Sequence, residues 1–276
     1  MKYEYREAPE GINNPPVSHL KEAFVLAGGL TLLVVGLFLV LGWAADRLVG
    51  RLSPQGEKRL ADMLRVPGYP GGKSKGAEDL QQVLDRLSRR QPAAYPLQVT
   101  VACSEQVNAL ALPGGTIVVF SGLLSRMRSE NELAMVLGHE IGHFAARDHL
   151  KGLGRTLVFL ALTTALFGGG DGVPSFLQHV VGVTSYRFSR AQEEAADQAG
   201  ARLVNEEYGH AGGIVDFFRS LEAEGHQSEA GAWFSTHPAH HKRIEELEGL
   251  IAREAWQVRE VKPLNGREWA ERSCGK

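Results

Sequence analysis

The chain has 276 residues, a formal net charge of -2 at pH 7 and two cysteines. This length accommodates one substantial catalytic domain with attached segments, and the near-neutral charge gives no electrostatic case for nucleic-acid binding. Cys103 and Cys274 lie far apart in the sequence and lack metal-ligand spacing, so neither a cysteine metal site nor a structural disulfide is expected.

The N-terminal part divides into a polar segment and an apolar one. Residues 1–22 are rich in turn formers, which predicts a poorly ordered tail. Residues 23–45 carry no charge and would span about 34 Å as a helix, enough to cross a bilayer core. A cleaved signal peptide is the alternative, but the run exceeds the usual apolar length and acidic residues precede it. We therefore predict a single membrane-spanning helix at 23–45, with Trp43 at the interface.

The charges that flank this helix predict its orientation. More basic residues follow it than precede it, which favours the cytoplasmic side of the inner membrane for the catalytic domain. The basic residues compared are Lys2, Arg6 and Lys21 before the helix, and Arg47, Arg51, Lys58, Arg59 and Arg65 after it.

Residues 46–94 form a predicted juxtamembrane region of helices and linker. Apolar residues recur at helical spacing in 57–65 and 78–90, on either side of a Gly/Pro-rich connector at 67–72. Alternating and turn patterns then predict three strands, over residues 97–103, 107–112 and 116–121. A small sheet is thus expected to open the catalytic domain, which we place at 95–262.

The central pattern is His-Glu-Ile-Gly-His at residues 139–143. Residues four apart lie on one face of a helix, so His139 and His143 can bind one metal ion. Glu140 is near enough to reach a metal-bound water without binding the metal itself. The alternative is a helix with one surface histidine and one core histidine.

The surrounding residues favour a helix here. Ser129 and Glu132 have the spacing of a capping box, and apolar residues follow at helical spacing. After the motif, residues 156–170 are apolar but shorter than a normal membrane span. A buried or membrane-apposed helical hairpin with residues 173–183 is the favoured interpretation; a second membrane insertion is the alternative.

A catalytic zinc needs three protein ligands and an open position. Glu193 and Asp197 lie one turn apart in a predicted helix that begins with a second capping-box pattern, at Ser189 and Gln192. A carboxylate ligand with a second carboxylate one turn away suits a metal site. From these residues alone, a solvated acidic helix face remains an equal alternative.

Four motifs occur in order along the chain: Asn-Ala-Leu-Ala-Leu-Pro-Gly-Gly at 108–115, His-Glu-Ile-Gly-His at 139–143, Ser-Arg-Ala-Gln-Glu-Glu-Ala-Ala-Asp at 189–197 and Ser-Thr-His-Pro at 235–238. Together they resemble the HtpX-like zinc metalloendopeptidases, a family that includes the Oma-type mitochondrial protease and the type I CAAX prenyl proteases. The resemblance covers about residues 95–250.

This resemblance implies roles for particular residues. Glu193 would be the third zinc ligand and Asp197 an outer partner of the site, with one zinc per chain. His237 would lie at the rim, where it could stabilise the developing oxyanion; a loop-fixing histidine is the alternative. The family often has a further glutamate where this chain has Ala195, and the multi-span body of the CAAX proteases is absent.

The predicted fold is α+β: a mostly helical zincin-type domain with a small sheet, behind one transmembrane helix and before a C-terminal tail at 263–276. The expected substrates are unfolded membrane-associated polypeptides, bound as an added strand at Asn108, Ala109 and Leu110, with a role in protein quality control. The alternatives are a zinc-stabilised chaperone or scaffold without proteolysis and a processing protease of narrow specificity. Six other histidines match no ligand pattern: His149, His179, His210, His226, His240 and His241.

Overall fold

A computed structural model describes residues 4, 18–63, 75–91, 93, 95–167, 188–224, 233, 236–237 and 242–275. Within these residues the chain is mostly helical and carries one three-stranded sheet, which confirms the predicted α+β fold. The predicted connector at 67–72 and the predicted hairpin partner at 173–183 lie outside the described residues.

The N-terminal apolar segment forms helix α1, His19–Val49. Ser18 caps it by accepting a hydrogen bond from the Lys21 amide, so the helix begins four residues before the predicted span and includes the end of the predicted tail. Its apolar side chains are exposed along most of its length. In the described part of the chain, α1 is the helix that is long and apolar enough to cross a membrane.

The predicted juxtamembrane helices and strands are present with shifted ends. They are α2 (Pro54–Met63), α3 (Lys75–Arg90), β1 (Gln98–Ala102), β2 (Ala109–Leu112) and β3 (Thr116–Phe120). The strand order is β1-β3-β2, with β1 parallel and β2 antiparallel to β3. Strand β2 is therefore an edge of this sheet.

The remaining helices build the body of the domain around one central helix. They are α4 (Ser121–Leu124), α5 (Glu130–Ala146), α6 (Asp148–Phe167), α7 (Arg190–Tyr208), α8 (Asp216–Glu224), α9 (Arg243–Arg253) and α10 (Gly266–Cys274). Helix α5 is buried from Glu130 to Phe144, and its apolar side chains join the main core.

Helices α5 and α7 pack with their backbones almost in contact. A Cβ atom at Gly138 would lie 2.9 Å from the Gly200 Cα, and one at Gly142 would lie 2.9 Å from the Ala196 Cα. Real Cβ atoms do not approach so closely, so this packing requires glycine at both α5 positions. The close approach brings the face of α7 that carries two carboxylates against the two histidines of α5.

The prediction that the cysteines stay apart was wrong. Cys103 and Cys274 form a disulfide with their Cα atoms 5.7 Å apart. Residues 263–276, predicted to be a tail, contain α10, which packs against α3 and α4 and returns the chain to the end of β1. The separation of 171 residues in sequence therefore says nothing about the separation in space.

Glu57 is a buried carboxylate that joins three parts of the molecule. It lies on α2 and accepts hydrogen bonds from the Tyr95 hydroxyl, from the Gly114 amide at 3.1 Å and from His149 Nε2 at 3.0 Å. Burial opposes its ionisation, but these donors prevail and lower the pKa of Glu57 to about 2. His149, which matched no ligand pattern, thus has a structural role in this cluster.

Replacing Glu57 with glutamine is expected to lower the free energy of unfolding at pH 7 by about 1–3 kcal/mol, because all three donors converge on Oε1 and a neutral amide oxygen accepts them more weakly than a charged one. The folded pKa lies below the ordinary 4.5, so the ionised group stabilises the fold above pH 4.5, and this contribution is lost as the pH falls toward 2. The difference between parent and variant, measured by urea unfolding in detergent, should shrink over that range. Glu78→Gln, on an exposed position of α3, is the control; equal losses in both variants would contradict the assignment.

Candidate active site

The two motif histidines lie on one face of α5, as predicted. Ser129 caps the helix by accepting from the Glu132 amide at 3.1 Å, whereas the Glu132 carboxylate accepts from the Arg128 amide instead of that of Ser129, so only half of the predicted capping box forms. His139 Nε2 and His143 Nε2 lie 3.1 Å apart, and both rings are fully buried.

Helix α7 supplies the carboxylates. Its predicted capping box at Ser189 and Gln192 is complete. Glu193 and Asp197 are 2% and 3% exposed, which excludes the alternative of a solvated acidic face, whereas Glu194 is exposed.

Four donor groups converge in the space between α5 and α7. His139, His143, Glu193 and His237 each offer one ligand atom, and these atoms all lie within 4.8 Å of one another. Glu193 Oε1 lies 3.4 Å from His143 Nε2 and 3.1 Å from His237 Nδ1, and His237 Nδ1 lies 3.1 Å from His139 Nε2. Ligands 2.0–2.1 Å from one tetrahedral ion would be about 3.4 Å apart. The cluster therefore fits a single metal ion.

Each motif histidine has a carboxylate on its other ring nitrogen. His139 Nδ1 lies 2.8 Å from Asp197 Oδ1, and His143 Nδ1 lies 3.1 Å from Asp148 Oδ2. Such partners fix the tautomer and leave Nε2 free to bind a metal. Asp148 is the first residue of α6, so the start of that helix holds one of the motif histidines in place.

Arg243 orients both carboxylates of α7. This buried side chain donates from Nε and Nη2 to Asp197, at 2.7 and 2.6 Å, and its Nη1 lies 2.9 Å from Glu193 Oε2. The fork holds Asp197 against His139 and leaves Glu193 Oε1 facing the histidines.

The charges of this cluster are mutually dependent. Burial opposes ionisation of Asp197 and Glu193, but Arg243 beside the first and His237 and His143 beside the second hold both pKa values below the ordinary range. Burial also disfavours a charged His143, yet its bonds to Asp148 and Glu193 raise its pKa to about 9. Histidine binds metal in its neutral form, so a metal ion bound here would require His143 Nε2 without its proton.

Glu140 and His237 face the same space. Glu140 is fully buried, and neither of its carboxylate oxygens has a hydrogen-bond partner among the described residues; the same is true of His237 Nε2, which lies 3.6 Å from Glu140 Oε1. Buried polar groups without partners are uncommon and expected where an ion or water is bound. Trp233 stacks on His237 with ring centroids 4.3 Å apart, and Phe188 stacks on His143 at 3.9 Å, so aromatic rings hold both imidazoles.

The predicted substrate strand lies nearby. Ala109 and Leu110 belong to β2, but Asn108 precedes it and turns its side chain inward. Asn108 Oδ1 accepts from the Ala109 amide at 2.9 Å and from the Thr236 hydroxyl at 3.2 Å. Asn108 thus joins the start of the edge strand to the residue before His237.

The sequence identified the motif histidines, Glu140, Glu193, Asp197 and His237, and the structure brings all six together. It missed Asp148, Arg243, Trp233 and Phe188. Asp148 follows the motif by five residues and Arg243 lies more than forty residues after Asp197, so neither has a signal in its spacing. The aromatic residues resemble ordinary core residues in sequence.

Comparison with known proteins agrees with this geometry. Residues 74–251 match the family described as Peptidase family M48. The chain is 34% identical over 148 residues to the mitochondrial metalloendopeptidase OMA1 of Arabidopsis thaliana, which covers 53% of this chain and 30% of that protein. It is 32% identical over 159 residues to the metalloprotease LoiP of Escherichia coli strain K12, with 55% and 62% covered.

A protease HtpX homolog of Salinibacter ruber is 27% identical over 224 residues, with 69% of this chain and 81% of that protein covered. For the OMA1 and LoiP relatives, the chain thus spans less than two thirds of their length. The family model covers well over half of the present chain, and the predicted resemblance is confirmed. The chain belongs to peptidase family M48.

Proposed function

We propose that the protein is a membrane-anchored, zinc-dependent endopeptidase that cleaves unfolded membrane-associated polypeptides. The observation that carries this proposal is the buried set of His139, His143 and Glu193 beside a buried Glu140 whose oxygens lack partners among the described residues. Two imidazoles and one carboxylate are the donor set of a catalytic zinc site. A purely structural site has no need of the adjacent Glu140.

When bound, zinc would polarise the substrate carbonyl and lower the pKa of a water toward neutrality. Glu140 then accepts the proton of the attacking water and delivers it to the leaving amine. His237 would donate a hydrogen bond to the oxygen that becomes negative, since its Nε2 has no partner among the described residues and lies 3.6 Å from Glu140 Oε1. Trp233 and Phe188 exclude water around these groups and hold the rings in place.

The sheet supplies a site for substrate. Strand β2 pairs with β3 on one side, and within the described residues no strand pairs with its other side. A substrate in extended conformation can add to this edge through backbone hydrogen bonds, and such binding favours unfolded segments over particular sequences. Asn108 links this edge to Thr236 and hence to His237. A quality-control role follows from this lack of sequence preference.

Helix α5, which carries the two motif histidines, is joined to the end of α1. Arg147, the left-handed residue that ends α5, donates from Nη1 to the carbonyls of Val49 at 2.9 Å and of Leu52 at 2.7 Å. His143 lies one turn before Arg147, about 6 Å along the helix axis. If α1 spans the membrane, the metal site therefore lies close to the membrane surface, where it meets membrane-associated substrates first.

Two features give opposite indications of the side of the membrane. The basic residues after α1 favour the cytoplasm, whereas the disulfide between Cys103 and Cys274 favours an oxidising compartment, because cytosolic thiols are kept reduced. The difference in basic charge between the two ends of α1 is small, whereas a disulfide forms and persists only where thiols are not kept reduced. We therefore place the catalytic domain on the extracytoplasmic side of the inner membrane.

Protease added outside intact spheroplasts is expected to digest the catalytic domain, and an alkylating reagent added under denaturing, non-reducing conditions should find both cysteines blocked. The excess of basic residues after α1 predicts instead that the added protease leaves the catalytic domain intact. A protected domain with two free thiols would place the site in the cytoplasm and leave the peptidase assignment intact.

Degradation of a model protein in its unfolded and folded states tests the function. The purified full chain, reconstituted in liposomes with zinc, should cleave reduced and alkylated lactalbumin and leave native lactalbumin largely intact. Binding of the unfolded form without cleavage would favour the chaperone or scaffold. Cleavage of neither form, with cleavage of one endogenous membrane protein, would favour a processing protease of narrow specificity.

A further inference from the structure

Helix α6 runs antiparallel to α1, back along the apolar segment. A Cβ atom at Gly154 would lie 3.3 Å from that of Ala45. Arg155 pairs with Asp46, with Nη2 and Oδ2 2.5 Å apart, and further along the rings of Phe159 and Phe38 meet edge to face with centroids 6.4 Å apart. The contacts thus move from Asp46 back to Phe38 in α1 as they move from Arg155 forward to Phe159 in α6.

The boundary between charged and apolar residues lies at the same height along α1 and α6. The ion pair between Asp46 and Arg155 lies at this boundary. Beyond it, residues 156–167 of α6 and residues 23–45 of α1 carry no charge. Trp43 lies at this border, 62% exposed, with the guanidinium of Arg47 5.3 Å from its ring centre. Aromatic and basic residues in this arrangement are typical of a membrane interface.

Beyond the border, α6 exposes large apolar side chains: Leu157, Phe159 and Leu166 are 36%, 58% and 46% exposed. Two of its hydroxyls are satisfied within the helix, since Thr156 donates to the Gly152 carbonyl and Thr163 to the Leu160 carbonyl, each at 2.9 Å. A surface of exposed apolar side chains with internally bonded hydroxyls suits hydrocarbon better than water.

We propose that residues 156–167 of α6 lie in the membrane beside α1, with Leu157, Phe159 and Leu166 against lipid acyl chains. This inference rests on the proposed membrane anchoring of α1, whose exposed apolar surface is continuous with that of α6. Twelve helical residues extend about 18 Å, past the middle of a 30 Å hydrocarbon core but not across it. Residues 156–167, the wedge, therefore enter the membrane from the side of the catalytic domain and end just past its middle.

The wedge is joined directly to the metal site. Asp148 begins α6 and contacts His143, while the preceding residue, Arg147, is bonded to the end of α1. Two membrane helices consequently fix the height and tilt of α5 above the bilayer.

Site-directed spin labelling of the full chain in lipid nanodiscs tests the wedge. One cysteine is introduced at a time, as Leu166→Cys on α6, Leu33→Cys near the middle of α1 and Val258→Cys on the exposed surface of the catalytic domain. The native cysteines are joined in a disulfide, and the labelled parent gives the blank. Collisions of each label with oxygen, which concentrates in lipid, and with a water-soluble nickel complex are measured by power saturation.

Labels at Leu166 and Leu33 are both expected to collide with oxygen and to lose almost all collisions with the nickel complex, whereas the label at Val258 keeps them. Nickel collisions at Leu166 equal to those at Val258 would overturn the wedge, and so would a label at Leu166 that neither reagent reaches, since protein would then cover that face. A label at Leu33 that meets nickel would instead overturn the membrane anchoring by α1, which separates the two proposals.

Discussion

Glu140→Gln is expected to remove nearly all peptide hydrolysis while the protein keeps its zinc. Glutamine has the size of glutamate but cannot accept the proton of the attacking water, and general acid–base catalysis contributes typically about 10²–10⁴-fold. Because Glu140 is not one of the proposed ligands, zinc content after dialysis should match that of the parent. Both quantities are measured on the same preparation, by casein hydrolysis and by atomic absorption.

Glu194→Gln is the matched control for this experiment. Glu194 is an exposed glutamate on α7 that accepts a hydrogen bond from Gln198 on its own helix, so its replacement should leave both quantities unchanged. Activity of Glu140→Gln close to that of the parent would refute the role of Glu140 as base. Loss of zinc from that variant would show that it acts through the metal ligands instead.

Glu193→Gln is expected to lose zinc on dialysis, whereas Glu194→Gln keeps it. A neutral amide oxygen binds zinc less well than a carboxylate, and it would also leave Arg243 Nη1 without its charged partner, 2.9 Å away in the parent. Glu194→Gln should change stability by no more than about 0.5 kcal/mol, as surface substitutions do. These adjacent glutamates point in different directions from α7, which makes the pair a test of geometry.

Asp197→Asn should fall between these two variants. It keeps a group that can bond to His139 Nδ1 but loses the charge that Arg243 contacts through two nitrogens, so zinc affinity should drop by about 10–100-fold. Zinc stoichiometry of all three variants after the same dialysis gives the order directly. An empty site in Glu194→Gln and a filled one in Glu193→Gln would overturn the ligand assignment.

Local signals accounted for most of what the sequence could predict. The capped helix around His139 and His143, the capped helix that carries Glu193, and the small sheet follow from patterns within about twenty residues, which depend on backbone geometry alone. The length of charge-free chain likewise identified α1, although the helix continues beyond that run at both ends.

Long-range contacts left no such signal. The disulfide joins Cys103 to Cys274 only because α10 packs on α3 and α4, and Arg243 reaches Asp197 only because α9 lies against α7. The pattern of the amphipathic helix predicts a surface position for Glu57, yet this residue is 1% exposed. In each case the partner comes from a distant segment, and neither periodicity nor spacing encodes that distance. The resemblance to a family supplied the order of the motifs but not these contacts.

We expect that one zinc ion, held between α5 and α7, is required for hydrolysis of peptide bonds by this chain. The most direct measurement is casein hydrolysis by the purified full chain as zinc is removed with a chelator and then returned, with zinc content determined at each step. The proposed function predicts that activity falls in proportion to zinc and returns fully at one zinc per chain. Hydrolysis that persists after the zinc is gone, or that stays absent in a fully zinc-loaded parent given unfolded substrate, would contradict it.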